Sequence, residues 1–296
     1  MKRSRLYWAI AAVCVALLIW RWGKTSEDAE FEGPVELATD SIGVDDPSAQ
    51  AKRAEPTIED VLRLARAAQE AMVANVDDYT ARFVQHERDS SGVLGQPTVM
   101  QVKIQTRHQG GQEGSPMRVY LKFVEPAKVA GREVIWAKDL HNGKLIVHEA
   151  GLLGLVPLPP LDPTGVIAMQ GQRFPIYEIG LTRLVEQLIE RGEEYQEDPG
   201  VRVAIEEDFD FDGESTTLIQ IRRSTPNPES ETDFSLAEVF IDPERQLIRR
   251  YRSYGWPQTE GDDAPLVESY TYEDIQLNVG LSDEDFDPKN PEYNYP

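Results

Sequence analysis

From Asp78 onward, apolar residues recur at every second position, and this alternation limits the fold more than any other feature of the chain. Successive side chains of a strand point to opposite faces, so a period of two predicts strands with one buried face. Tyr79, Ala81 and Phe83 alternate with Thr80, Arg82 and Val84. Met100, Val102 and Ile104 alternate with Gln101, Lys103 and Gln105, and Val119, Leu121 and Phe123 with Tyr120 and Lys122. Val134 and Trp136 lead to Asn142-Gly143, with Leu145 and Val147 beyond. Asp212-Gly213 separates runs over 201–211 and 216–223. Both dipeptides tolerate the positive φ of a tight hairpin. Runs over 234–242 and 247–254 flank a turn at Asp242, and a last run covers 267–277. The pattern predicts about ten antiparallel strands in meander order.

Two stretches keep a helical period instead. Thr57 and Asp60 read as a capping box, followed by Ile58, Val61, Leu62, Ala65, Ala68, Met72 and Val76 on one face, with an end near Asn75. Tyr177–Arg191 carries Ile179, Leu181, Leu184, Val185, Leu188 and Ile189, closed by Gly192. Two amphipathic helices must bury their stripes, and one face of the sheet is the available surface, which gives an α+β domain. Gly151–Met169 is apolar but broken by Gly and Pro. Its Leu152, Leu153, Leu155, Val156, Leu158, Leu161, Val166, Ile167 and Met169 fit either a shape-tolerant apolar ligand site or a plug at the end of the sheet.

The start of the chain differs from the rest. Lys2, Arg3 and Arg5 precede a 15-residue apolar run, Leu6–Trp20, closed by Arg21 and Lys24. A basic start and an apolar run make an export signal. Tyr7, Trp8, Trp20 and Trp22 bracket it as interfacial anchors, and no small-x-small cleavage site follows. Residues 1–24 therefore read as an N-terminal membrane anchor that leaves the body in the periplasm, single-pass in the inner membrane. The alternative is a cleaved signal and a secreted domain. Residues 25–56 hold nine acids and no sustained period, which reads as an acidic disordered linker before a domain over 57–296.

Composition narrows the chemistry. With 30 Lys+Arg against 52 Asp+Glu, the chain lacks the basic footprint that nucleic acid requires. One cysteine, Cys14, excludes an intramolecular disulfide framework and a cysteine zinc site. Asp208-Phe-Asp-Phe-Asp-Gly213 begins like a calcium loop, but its twelfth position is Ile219 rather than a carboxylate. The four histidines, His86, His108, His141 and His148, show no metal-ligand spacing. No nucleophile elbow, phosphate loop, zinc-protease helix or dinucleotide turn is present in the sequence. The expectation is no cofactor, no metal and no enzyme, with a His148–Glu149 hydrolase as the remote alternative. Arg132 and Glu133 fall on opposite faces of one strand, so one of them should be buried with a partner.

Tyr270-Thr-Tyr-Glu-Asp-Ile-Gln-Leu-Asn-Val-Gly-Leu281, with Asp285-Phe286 after it, resembles the closing strand of the Lol-type lipoprotein-carrier superfamily, and Asp78–Phe83 resembles its first strand. Val119–Phe123, Gly131–Val134, Asn142–Leu145 and Phe174–Leu181 resemble an uncharacterised exported bacterial family, domain of unknown function 1571. The superfamily resemblance implies a half-open antiparallel β-barrel with helices on its concave face, where acyl chains bind. On that reading Phe83, Val102, Ile104, Leu121 and Trp136 form the floor of a lipid site. Leu62, Met72, Leu184 and Leu188, with Leu152, Leu153, Leu155, Val156, Leu158, Val166 and Met169, form its lid. The expected partners are the membrane, a lipid or lipoprotein acyl chain and an envelope protein. The alternative is a ligand-free protein-interaction module with a filled core.

Overall fold

The computed structural model describes residues 33–35 and 55–296, except 90, 113, 231 and 260 and the side chains of Leu152 and Leu153. The expected anchor, 1–24, and most of the expected linker lie outside the described residues. Among the described residues no helix is long and apolar enough to cross a membrane.

The strands are β1 Asp78–Glu87, β2 Thr98–Gln105, β3 Arg118–Glu125, β4 Glu133–Ala137, β5 Ile146–His148, β6 Val201–Phe211, β7 Glu214–Arg223, β8 Leu236–Asp242, β9 Leu247–Tyr254 and β10 Leu266–Leu277. They form one antiparallel sheet in the order β5-β4-β3-β2-β1-β10-β9-β8-β7-β6. The sheet is open, with β5 and β6 at its edges. The meander expected from the sequence is thus two five-strand meanders, joined where the first strand pairs with the last. The reason lies in the crossing between β5 and β6. That stretch is too broken by Gly and Pro to pair as a strand, and it carries the chain over the concave face to the far edge.

The hairpin chemistry reads as expected at β6–β7, where Phe211 pairs with Glu214 and Asp212 and Gly213 have φ of 55° and 81°. At β4–β5 the connection is longer than a two-residue turn. Asn142 and Gly143 still take positive φ, but Leu145 leaves the strand to bridge Leu161.

Helix α1, Ile58–Asn75, starts on the expected capping box: Thr57 and Asp60 exchange side-chain and backbone hydrogen bonds. It buries Ile58, Leu62 and Met72. Helix α2 runs Leu181–Glu194, later at both ends than the sequence reading. Gly180, at φ 116°, precedes it, and the buried Tyr79 hydroxyl accepts the Leu181 N–H at 2.9 Å. Gly192 does not cap α2. It lies within the helix, where an added Cβ would come 2.6 Å from Leu62 Cδ2, so it permits the close approach of α1.

The outer face of the sheet also carries apolar clusters. Phe286 is fully buried against Tyr120 and Ile135, and Tyr293 stacks on Tyr120 with centroids 4.2 Å apart. The C-terminal segment therefore covers β3 and β4, which is why every residue of β4 is buried. At the other end Val35 packs with Phe209, Phe211, Leu218 and Phe240. Phe209 and Phe211 thus join this outer cluster rather than the main core.

Candidate functional site

A cavity of about 140 Å³ lies between the concave faces of β1–β5 and β10, the start of α2 and the crossing segment. Its floor follows from strand alternation. Phe83, Met100, Leu121, Phe123, Val134 and Val147 all point to the concave side. Its roof comes from Leu158, Leu161, Ile167, Ala168, Phe174 and Ile176 of the crossing segment, with Leu184 of α2.

The roof is fastened at several points. Leu145 and Leu161 exchange backbone hydrogen bonds, and Lys144 Nζ lies 2.7 Å from Asp162. Arg107 donates to the Tyr177 carbonyl at 2.7 Å, and the Trp136 and Tyr177 rings lie 5.9 Å apart. The Arg173 N–H donates to Glu87 at 2.8 Å, and its guanidinium lies 3.5 Å from Glu268.

One end of the cavity is polar. Glu87 and Glu268 are Cα partners on β1 and β10, and both are buried. The Tyr270 hydroxyl stands between them, donating to Glu87 and lying 3.1 Å from Glu268. Arg191 of α2 lies 2.8 Å from Glu268 and also reaches Tyr251. The two carboxylates titrate in opposite directions. Burial pushes Glu87 above its usual range, against the hydrogen bonds from Tyr270 and the Arg173 N–H. Burial pulls Glu268 the same way, but the charges of Arg191 and Arg173 together hold it below the usual range. Burial also drives the Tyr270 hydroxyl far up, helped by both carboxylates, so it stays a proton donor.

Across the cavity, Arg132 Nε lies 2.8 Å from Glu149 Oε1, and both side chains are 4% exposed. Both residues of the Arg132–Glu133 pair are buried, where the sequence reading expected one. Glu133, on the outer face, accepts from the backbone and side chain of Asn294. His148 meets the Tyr295 ring on that outer face, 5.5 Å between centroids, while Glu149 faces the cavity. The two neighbours therefore do not share a cleft. Among the described residues no cluster of three or more His, Cys, Asp or Glu could hold a metal ion.

Of the lipid-site residues expected from sequence, Phe83, Leu121, Leu158 and Leu184 meet at this cavity. Val102 and Trp136 lie in the same core beside it. Ile104 lines a recess of about 20 Å³ at the start of α2. Leu62 and Leu188 line a separate cavity of about 50 Å³ between the helices and β7–β9. Met72 is buried in α1. Val156 and Met169 are half-buried away from the cavity wall. Leu155 and Val166 are 75% and 89% exposed, so they stand on the outside of the roof. The side chains of Leu152 and Leu153 lie outside the described residues.

Sequence reasoning passed over Met100 and Phe123, although both continue the alternation that picked out Val102 and Leu121. It also passed over Glu87, which continues the parity of Tyr79, Ala81 and Phe83. The pairing of Glu87 with Glu268 has no local signal, because it depends on the register of strands far apart in the chain.

Several solved structures are similar to this chain. A DUF1329 family protein from Desulfovibrio piger is 12% identical over 79% of this chain and 98% of its own, at a TM-score of 0.37. An outer membrane lipoprotein-sorting protein domain from Vibrio parahaemolyticus is 12% identical over 78% and 97%, at 0.34. A LolA superfamily protein from Nitrosomonas europaea is 11% identical over 75% and 97%, at 0.29. Likeness at these scores carries no function across. No curated protein matches the chain. The family model for "Protein of unknown function (DUF1571)" matches residues 76–295, and the chain belongs to that family.

Proposed function

We propose that this protein binds a lipid or lipoprotein acyl chain non-covalently in the roofed cavity, on a domain tethered to the inner membrane by residues 1–24 and facing the periplasm. The observation that carries the reading is the cavity itself, walled mainly by apolar side chains, with the Glu87–Glu268 cluster at one end and the Arg132–Glu149 pair across from it. A water needs roughly 10–15 Å³ of such space, so about 140 Å³ holds on the order of ten water-sized or methylene-sized groups. At about 0.8 kcal/mol per buried CH₂, ten methylenes supply a gross ~8 kcal/mol. A protein-interaction module with a filled core would leave no such space, so the cavity favours the ligand reading.

The roof supports the same reading. It is irregular chain held by a handful of hydrogen bonds and two ion pairs, Lys144–Asp162 at the surface and Arg173–Glu268 within, which is the composition of a segment that opens locally. Native mass spectrometry of the full chain extracted from its own membranes, with lipid analysis alongside, tests this directly. A near-stoichiometric acyl lipid supports it. A clean unliganded mass, with no uptake of added fatty acid or phospholipid, contradicts it.

A further inference from the structure

Gln220, Glu238 and Arg252 stand side by side across β7, β8 and β9 as Cα partners. They lie on the outer face of the sheet, yet they are 1%, 0% and 3% exposed. Polar groups buried to that degree must find partners. Arg252 Nη2 takes one side of the Glu238 carboxylate, at 2.7 Å. The other carboxylate oxygen and the Gln220 amide turn to a single residue far upstream. The Val35 N–H donates to Glu238 Oε1 at 2.8 Å, and the Val35 carbonyl accepts from Gln220 Nε2 at 2.7 Å. Arg252 Nη1 also reaches the Gly33 carbonyl at 3.5 Å. The Val35 side chain sits on Phe211, Leu218 and Phe240. The row thus reads both backbone groups of one residue and one small apolar side chain, which is what a site for an extended peptide requires.

We infer that this row is a latch for the chain's own N-terminal stretch, and that it sets how far the domain can stand from the membrane. The reach-setting part rests on reading residues 1–24 as an anchor. The occupant is already in place, continuous with the chain that would have to be shortened. With the latch closed, only residues 25–32 separate the segment 1–24 from the domain surface, and eight residues span at most about 28 Å. With it open, residues 25–56 span up to about 110 Å. The latch occupies the face opposite the cavity, so it can open or close without disturbing the cavity walls.

The test uses the full chain. A photo-leucine at position 35, in detergent-solubilised protein, is expected to cross-link to peptides of β7–β9 within the same chain. Cross-links between chains, or none to these strands, would overturn the latch. Val35→Pro removes the donated N–H without touching the sheet. Cleavage after Glu32 and Glu36 by a glutamate-specific protease is expected to run about tenfold faster in this variant, the effect of one lost hydrogen bond. Equal rates would overturn the latch as well. Energy transfer from a domain label to a bilayer dye, in vesicles of phosphatidylethanolamine and phosphatidylglycerol, reads the reach. Val35→Pro is expected to weaken the transfer. Faster cleavage of Val35→Pro than of the wild type, with energy transfer unchanged between the two, would overturn the reach-setting role and place the fault in the anchor reading, leaving the latch standing.

Discussion

Glu87 and Glu268 face each other across the β1–β10 pair, both buried, and the arginines that reach this pair by side chain go to Glu268 alone. Like charges directly opposite on paired strands repel. The structure relieves this by holding Glu268 ionised beside Arg191 and Arg173 while burial favours the neutral form of Glu87.

The two carboxylates therefore give opposite pH signatures. Glu87 has a raised folded-state pKa, so its contribution is complete below the usual 4.5 and is lost as pH rises through the raised value. Glu268 has a lowered one, so its contribution is present above 4.5 and is lost as pH falls through the lowered value. In urea unfolding from about pH 4 to 8, Glu87→Gln is expected to gain on the wild type as pH rises, and Glu268→Gln to lose ground. Parallel pH profiles for both variants would show that the pair does not divide in this way.

The Arg132–Glu149 pair faces the cavity from the opposite side with both partners buried. Removing one charge strands the other, so Arg132→Met is expected to cost about 3–5 kcal/mol. Adding Glu149→Leu is expected to restore most of that loss, since an apolar pair of similar volume avoids the desolvation cost. A double variant no more stable than the single one would mean that the pair is not the source of the effect.

Tyr79 joins the sheet to α2 through one hydrogen bond. Its hydroxyl accepts the Leu181 N–H, while Gly180 provides no side-chain cap. Tyr79→Phe leaves that buried donor without a partner and is expected to destabilise the domain by about 1–3 kcal/mol in chemical denaturation. A change within ~0.3 kcal/mol of wild type would show that the N–H finds another acceptor.

The roof residues divide by the side they face. A carboxylate at Ile167, on the cavity wall, is expected to weaken uptake of a fluorescent fatty acid by more than about tenfold. Leu155→Asp is expected to leave uptake unchanged, because Leu155 is 75% exposed outside the roof. The sequence reading put Leu155 in the lid and left Ile167 out of the site, since both lie in one apolar segment with no period to orient them. Equal effects from the two substitutions would contradict the assignment of the wall.

The strands and α1 were legible because they follow from local rules. Alternation marks Phe83 and Leu121 as facing one side, and Thr57 with Asp60 marks the start of α1. The cavity was legible only in part. Phe83, Leu121 and Leu184 meet there because their strand parity or helix face is fixed locally, whereas Leu158 reaches it from irregular chain. The orientation of Leu155 and Val166 was not, since irregular chain has no period to read. The pairing of β1 with β10 was also hidden, because a sheet of two joined meanders and one continuous meander have the same local pattern. The burial of Gln220 and Glu238 under Val35 depends on a contact spanning 185 positions or more, which alternation cannot show.

The most direct measurement fills the cavity and reads binding. Ala168 lies on the roof facing the cavity, and Ala168→Phe places a ring in that space without removing a polar partner. Titration of the full-length wild type with a fluorescent fatty acid is expected to show one site per chain. The same titration of Ala168→Phe, with its fold confirmed by circular dichroism and unfolding, is expected to show affinity lower by about tenfold or more. Saturable binding that is identical in the two proteins, or no binding by the wild type, would contradict acyl-chain binding in this cavity.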